Sequence, residues 1–302
     1  MHTMAWRDAT MKKPLFTGVC TALVTPFLDG RVNYPMLEVL LKRQLDAGVN
    51  AVVLTGTTGE SSTLSDDEKI EIYQRGKACV GDHMLLLAGT GSNATEHAIW
   101  LSREAEKCGV DGLLVVSPYY NKATPEGLIA HYRAISHSVK IPVILYNVPS
   151  RTGVDIPVSV YKTLSRIPNI AGVKEASESI HKIAAIRREC GSDFSIWSGN
   201  DHMAVPTISL GGAGVISVLS NVLPTRMCQT LAAALDGDFD TAAALHSELL
   251  PLMDLLFCEV NPIPVKAAMK EIGFDCGNCR LPLTDISEAN RLKIRSFLNG
   301  IQ

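Results

Sequence analysis

Six residues of this 302-residue chain carry side chains suited to carbonyl chemistry, and each stands at or just beyond the end of an apolar run: Thr57, Thr58, Tyr120, Tyr146, Arg151 and Lys174. Lys174 belongs to Ile170-Ala171-Gly172-Val173-Lys174-Glu175-Ala176, bounded by Pro168 and a polar stretch. A run of this length reads as a buried strand. A lysine at a strand end is ordinarily solvated. Held instead at the mouth of a dry site, it is a nucleophilic amine. Such an amine attacks a ketone to form an imine, an electron sink for making or breaking a C–C bond. Imine formation expels water and so needs a proton shuttle. Tyr146 lies inside the run Pro142–Pro149, where its hydroxyl must find a partner. Thr57 and Tyr120 offer further hydroxyls. Thr58 can donate to a carboxylate, and Arg151 can bind one with two parallel hydrogen bonds.

The elements that must position these groups are legible as a repeating pattern. Eight apolar, β-branched runs recur: 18–27, 51–59, 84–91, 112–120, 142–149, 170–176, 194–201 and 212–220. Several are nearly uninterrupted, which suits strands covered on both faces in a parallel sheet. Between them, helical periodicity covers 37–47, 66–80, 95–108, 126–139, 159–167 and 179–190. Ser65-Asp66-Asp67-Glu68 predicts a capping box, and Thr95-Glu96 a second helix start. Successive runs end 32 to 19 residues apart. Eight near-equal βα units predict a (β/α)8 barrel, with a doubly wound sheet as the other arrangement of such units. After Ser220 the pattern is helical throughout, at 224–235, 239–258, 261–272 and 284–298. The expected organisation is an N-terminal tail (1–14), a barrel (15–236) and a C-terminal helical extension (237–302), with Asn261-Pro262-Ile263-Pro264 fixing a bend.

In such barrels catalysis sits at the C-terminal ends of the strands. The second run delivers Gly56-Thr57-Thr58-Gly59-Glu60, whose glycine-flanked hydroxyls and backbone N–H groups can bind an anion. The fourth ends in Pro118-Tyr119-Tyr120-Asn121, the fifth in Tyr146-Asn147-Val148-Pro149-Ser150-Arg151-Thr152-Gly153. The seventh gives Ser198-Gly199-Asn200-Asp201, and the eighth Gly214-Val215-Ile216-Ser217. Taken singly, each has a plainer reading as a turn, a rim aromatic or a solvated arginine. Together at one mouth they point to amine catalysis. The strand ends carry no compact His/Asp/Glu cluster of the kind a metal-dependent aldolase needs, so no metal is expected. The seventh run also fits poorly with a phosphate-binding barrel.

Bulk properties exclude other classes. A formal charge of −3 without like-charge runs argues against nucleic acid or a membrane surface as partner. Hydrophobic residues make up 46% of the chain, but no eighteen-residue apolar window provides a membrane span. Residues 1–13 lack the apolar core of a secretory signal. Eight scattered cysteines, with Cys276-Gly-Asn-Cys279 as the one CxxC, read as free thiols in a reducing cytoplasm rather than a zinc or redox site.

The motifs at 56–60, 118–121, 146–153 and 173–176, with Asn261-Pro262-Ile263-Pro264-Val265-Lys266, closely resemble the 4-hydroxy-tetrahydrodipicolinate synthase (dihydrodipicolinate synthase) family. The resemblance runs in unbroken order from about Leu15 to the C-terminus. It implies condensation of pyruvate with L-aspartate 4-semialdehyde in lysine and diaminopimelate biosynthesis, through a pyruvate imine on Lys174 and with no separate cofactor. It further implies a proton relay of Tyr146, Thr57 and Tyr120, the last lent by a neighbouring subunit. Thr58 would hold the pyruvate carboxylate and Arg151 that of the semialdehyde, with Ile216, Gly199 and Asn200 lining the pocket. A homotetramer, a dimer of tight dimers, is the implied assembly. N-acetylneuraminate lyases and 2-keto-3-deoxy sugar acid aldolases share the lysine and tyrosine. They usually differ at the Thr-Thr pair and lack an arginine at 151. The family's lysine-feedback site departs here: Ser61, Leu64, Asn93 and Tyr119 fit it. Asp66, Lys69 and His97 replace two histidines and a glutamate, from which weak or absent inhibition by L-lysine is expected.

Overall fold

Alternation along the apolar runs decides the architecture, because a strand buried on both faces must feed two separate cores. The computed structural model describes residues 13–300; residues 1–12 of the expected tail lie outside it. Eight strands form a closed, all-parallel barrel: β1 (Gly18–Ala22), β2 (Ala51–Leu54), β3 (Leu85–Gly89), β4 (Gly112–Val116), β5 (Val143–Asn147), β6 (Ile170–Glu175), β7 (Ser195–Ser198) and β8 (Gly214–Ser217). Closure is direct: β1 pairs with β8 on one side and β2 on the other. The doubly wound alternative is thereby set aside.

Cys20, Ala51, Val53, Leu87, Leu114, Ile144, Trp197 and Ile216 point inward and make the barrel's own core. Their neighbours Val19, Val52, Leu54, Leu113, Val115, Val143, Leu145, Val173 and Ile196 point outward into the larger core beneath the helices. The helices are α1 (Tyr34–Asp46), α2 (Asp66–Val80), α3 (Thr95–Lys107), α4 (Pro125–Ser138), α5 (Val158–Leu164), α6 (Ile180–Cys190), α7 (Ala204–Ser209) and α8 (Pro224–Leu235). The predicted box opens α2: Ser65 Oγ accepts from Glu68 N at 3.2 Å, and Glu68 Oε2 accepts from Ser65 N at 2.9 Å. Thr95 begins α3 without capping it. Its hydroxyl lies instead 2.9 Å from His131 Nδ1 on α4.

The strands are shorter than the apolar runs that announced them. The fourth run reached Tyr120, but β4 stops at Val116, and Pro118 turns the rest into a loop. Thr57, Thr58, Arg151, Gly199 and Asn200 likewise lie beyond the ends of their strands, whereas Ile216 lies within β8. Hydrophobicity persists there because these loops fold over the barrel mouth. Two helical segments escaped the periodicity, α7 and a single turn at Pro149–Thr152, since each is too short to show a stripe.

Beyond the barrel run α9 (Phe239–Leu255), α10 (Ile263–Glu271) and α11 (Glu288–Gly300). The Asn261–Pro262 peptide, which is cis, leads into α10 at the predicted bend. Among the described residues no helix is long and apolar enough to cross a membrane. All eight cysteines are free, and burial pushes the Cys276 and Cys279 thiols up to about 12, so the CxxC pair is poorly nucleophilic.

A buried ion pair pins the extension to the barrel mouth. Lys266 Nζ on α10 lies 2.6 Å from Glu60 Oε1, with both side chains almost entirely enclosed. Glu60 Oε2 accepts from Arg280 N at 2.9 Å, and the Lys266 ammonium sits 4.2 Å from the Phe27 ring centroid. Removing one partner of such a pair strands a charge. Lys266→Met is therefore expected to destabilise the fold by about 3–5 kcal/mol, read from the urea midpoint. Adding Glu60→Gln should recover much of that loss.

Candidate active site

Strand register places the two central candidates face to face. Tyr146 on β5 pairs with Lys174 on β6, both on the inward-pointing face. Lys174 is 5% exposed and Tyr146 7%, and the lysine Nζ lies 4.4 Å from the tyrosine ring centroid. The solvated strand-end reading of Lys174 is thus excluded. Beneath them Trp197, the register neighbour of Lys174 on β7, stacks on Phe16 at 4.8 Å and donates Nε1 to the Phe16 carbonyl. Cys20 on β1 closes the floor, its thiol pushed far above the ordinary range by burial against the opposing pull of Lys174.

The next residue along each strand points the other way and fixes that register. Asn147 and Glu175 are paired and fully within the outer layer. Asn147 Nδ2 donates to Glu175 Oε1 at 2.8 Å, and Tyr161 OH on α5 donates to Glu175 Oε2 at 3.0 Å. Ser177 N adds a third bond to that carboxylate, and Lys182 Nζ stands 3.9 Å away. The Asn147 side-chain Oδ1 accepts from Ile156 N at 3.0 Å, tying in the loop after the Pro149–Thr152 turn. Sequence reasoning assigned nothing to Asn147 or Glu175. A signal was present: each follows its reactive neighbour by one position inside a buried strand, where an unpaired polar group is costly.

Above this floor opens a cavity of about 400 Å³ lined by, among others, Thr57, Tyr146, Arg151, Lys69, His97 and Tyr119. Thr57 sits in a compact turn in which Gly56 O accepts from Gly59 N and Ser61 N. Gly59 suits the turn, since a Cβ there would crowd the Leu23 carbonyl oxygen and the Thr55 N at 3.1 Å. Thr58 is 3% exposed and points away from solvent, its Oγ1 accepting from Asn261 Nδ2 at 2.9 Å. Arg151 stands exposed on the helical turn, and its Nη2 donates to the Asn261 carbonyl at 3.3 Å. Ile216 is fully buried in β8, in register with Cys20.

Gly199 packs directly on the lysine stem, where an added Cβ would stand 3.2 Å from Lys174 Cε and 2.6 Å from the Ala176 Cβ. Asn200 is half-buried, its backbone N–H and carbonyl both bonded to Ser198 Oγ. Asp201, which the sequence reading passed over, accepts from Val218 N and Leu219 N just beyond β8. Burial holds its carboxyl above the ordinary value despite bonds from Ser217 and those two amides.

Tyr120 is the exception among the candidates. Its side chain is 89% exposed, and its backbone takes φ +73°, in the left-handed region that a bulky residue seldom occupies. Within one chain it does not join Lys174 and Tyr146. The remaining groups form a dry, inward-facing amine beside a phenol, under a mouth that offers hydroxyls and a guanidinium. That arrangement can form an imine with a keto acid. Gly199→Ala is expected to displace the Lys174 stem and slow borohydride trapping of an α-keto acid by about tenfold to a hundredfold. Quenched mass spectrometry against time measures the rate.

Comparison with known proteins agrees with this geometry. The model of the Dihydrodipicolinate synthetase family matches residues 15–301. The chain is 45% identical over 280 residues to the 4-hydroxy-tetrahydrodipicolinate synthase of Acetivibrio thermocellus, covering 93% of this chain and 95% of that one. Among solved structures, dihydrodipicolinate synthase of Aquifex aeolicus superposes with TM-score 0.93 at 41% identity, covering 95% of this chain and 98% of that one. The enzyme of Cyanidioschyzon merolae, solved with lysine bound, gives TM-score 0.93 at 39% identity, with coverage of 95% and 98%. With a matching model over nearly all its length, an identically closed barrel and a buried lysine facing a tyrosine, the chain belongs to the dihydrodipicolinate synthetase family.

Proposed function

We propose that this protein condenses pyruvate with L-aspartate 4-semialdehyde through a covalent imine on Lys174. The observation that carries the reading is the enclosed amine opposite Tyr146, its Nζ 4.4 Å from the phenol ring. Lys174 adds to the pyruvate keto carbon, and the resulting carbinolamine loses water to give the imine. Loss of a methyl proton then yields an enamine, whose carbon attacks the aldehyde and forms the new C–C bond. The amino group of the semialdehyde next displaces Lys174 from the imine carbon, closing the ring and freeing the lysine. Tyr146, Thr57 and Tyr120 move the protons, a task that general acid–base catalysis assigns to hydroxyls in reach of the reacting atoms. Thr58 donates to the pyruvate carboxylate, Arg151 binds that of the semialdehyde, and Ile216, Gly199 and Asn200 line the pocket. The barrel (15–236) carries the chemistry and the extension (237–302) completes its mouth. The lyase and sugar-acid aldolase alternatives are disfavoured by the relatives, which are synthases along nearly their whole length.

Tyr120 serves a neighbouring copy in this reading, within a homotetramer made of two tight dimers. Its near-complete exposure and left-handed backbone support a side chain aimed outward. The eight free thiols are in keeping with a cytoplasmic enzyme. Three measurements test the whole. Borohydride with pyruvate should place the adduct on Lys174 and none on Lys174→Ala; an adduct elsewhere overturns the mechanism. Tyr146→Phe should lower kcat by about 10²–10⁴. Co-expressed Tyr120→Phe and Lys174→Ala chains, each inactive alone, should regain activity in mixed dimers, because one site then receives an intact lysine and a lent tyrosine.

The departures at the feedback site also gain a physical form. Lys69 Nζ lies 3.1 Å from Asp66 Oδ1, and His97 Nε2 lies 2.9 Å from Asp66 Oδ2. Although burial opposes it, those two partners hold the Asp66 carboxyl below its ordinary value. The one anion that a cationic effector would seek is already engaged by the chain's own lysine. Millimolar L-lysine is expected to leave initial rates unchanged; strong inhibition at micromolar lysine overturns this.

A further inference from the structure

Asn261 touches both residues assigned to the two substrate carboxylates, although it belongs to neither the barrel nor its loops. Its side-chain Nδ2 donates to Thr58 Oγ1 at 2.9 Å, and its backbone carbonyl accepts from Arg151 Nη2 at 3.3 Å. The residue is 5% exposed, and its Oδ1 is enclosed without a hydrogen-bond partner. Leaving an amide oxygen unpaired in the interior is costly. That cost is offset only if the orientation it enforces is useful.

The use follows from the chemistry of a hydroxyl, which carries one proton to give and lone pairs to receive. Once Asn261 donates to Thr58 Oγ1, the proton of that hydroxyl is no longer engaged by Asn261. We propose that Asn261 is a positioning residue for keto-acid recognition: it fills the acceptor side of the Thr58 hydroxyl and thereby commits the proton to the carboxylate of the incoming keto acid. The inference rests on the assignment of Thr58 to the pyruvate carboxylate. It adds that the polarity of the binding hydroxyl is set from the C-terminal extension, across 203 residues of chain. The neighbouring Lys266–Glu60 pair holds the same two segments together, so the donor cannot drift from its acceptor.

Asn261→Asp separates this role from a structural one, because it keeps the shape while replacing the donor by an acceptor. At mildly alkaline pH the introduced carboxylate can only accept, and it turns the Thr58 proton away from substrate. The readout is the half-saturating concentration for borohydride trapping on Lys174, measured with pyruvate and with acetone, which forms the same imine but has no carboxylate. The Asp variant should need about tenfold more pyruvate or more, the scale of one hydrogen bond to a charged group, while acetone is unaffected. Asn261→Ala, which frees the hydroxyl to rotate, should show a smaller loss in the same direction and serves if the Asp variant does not fold. In a Thr58→Ala background the Asn261 substitutions should no longer alter the pyruvate preference. A pyruvate-to-acetone ratio equal to that of the unsubstituted protein, or a parallel loss for both ketones, overturns the inference while leaving the proposed function standing. Absence of any pyruvate adduct in the unsubstituted protein overturns both.

Discussion

Everything at this site depends on the pairing of β5 with β6. A parallel ladder fixes which residues lie opposite one another, and strand alternation sends neighbours to opposite faces. Setting Tyr146 against Lys174 on the inside therefore sets Asn147 against Glu175 on the outside. A slip of β6 by one residue would set Glu175 against Tyr146, burying a carboxylate in the barrel and turning the amine toward the helices. The irregularity between Val143 and Ile144 shows where the ladder adjusts, before the regular pairing that carries Tyr146 and Lys174 begins. From there to the strand ends the pairing is unbroken, and the Glu175 carboxylate, held by Asn147, Tyr161 and Ser177, resists any shift.

The inner and outer layers thus divide the work. Inside, the walls are aliphatic and aromatic, with Trp197 and Phe16 forming a rigid floor. The amine meets little water, and the face of a phenol lies 4.4 Å from it. Outside, polar groups satisfy one another and carry no reactive part. Such separation lets a strand bury an amine without a carboxylate beside it, since orientation comes from the backbone and from the residue one step away.

Much of this was legible in the sequence, and for definite reasons. The near-equal spacing of eight apolar runs reflects the constant size of a βα unit, and closure follows from repetition. Lys174, Tyr146, Thr57 and Arg151 stood out because each sits where an apolar run gives way to polar chain. Asn147 and Glu175 did not, because a polar residue at a strand end ordinarily marks the beginning of a loop. Asp201 was hidden in the same way. Asn261 was visible only as a flank of two prolines, since its contact with Thr58 joins segments that no periodicity relates. Tyr120 shows the complementary case. Its motif was plain, but within one chain the residue stands exposed, apart from Lys174 and Tyr146.

The anchoring of the barrel mouth by α10 has a consequence for biosynthesis. A ribosome releases the barrel's eight strands well before it reaches Asn261 and Lys266, so the nascent chain owns its amine and its phenol while the mouth above them is still unfinished. Glu60 then lacks its cation, and Thr58 lacks its bond from the Asn261 amide. Those contacts form only when roughly the last eighth of the polypeptide has docked. A chain cut short by a premature stop after the barrel would keep the outline of the barrel while lacking the Lys266 cation and the Asn261 amide that reach its mouth, which makes the final helices a checkpoint on completeness rather than an ornament to the barrel.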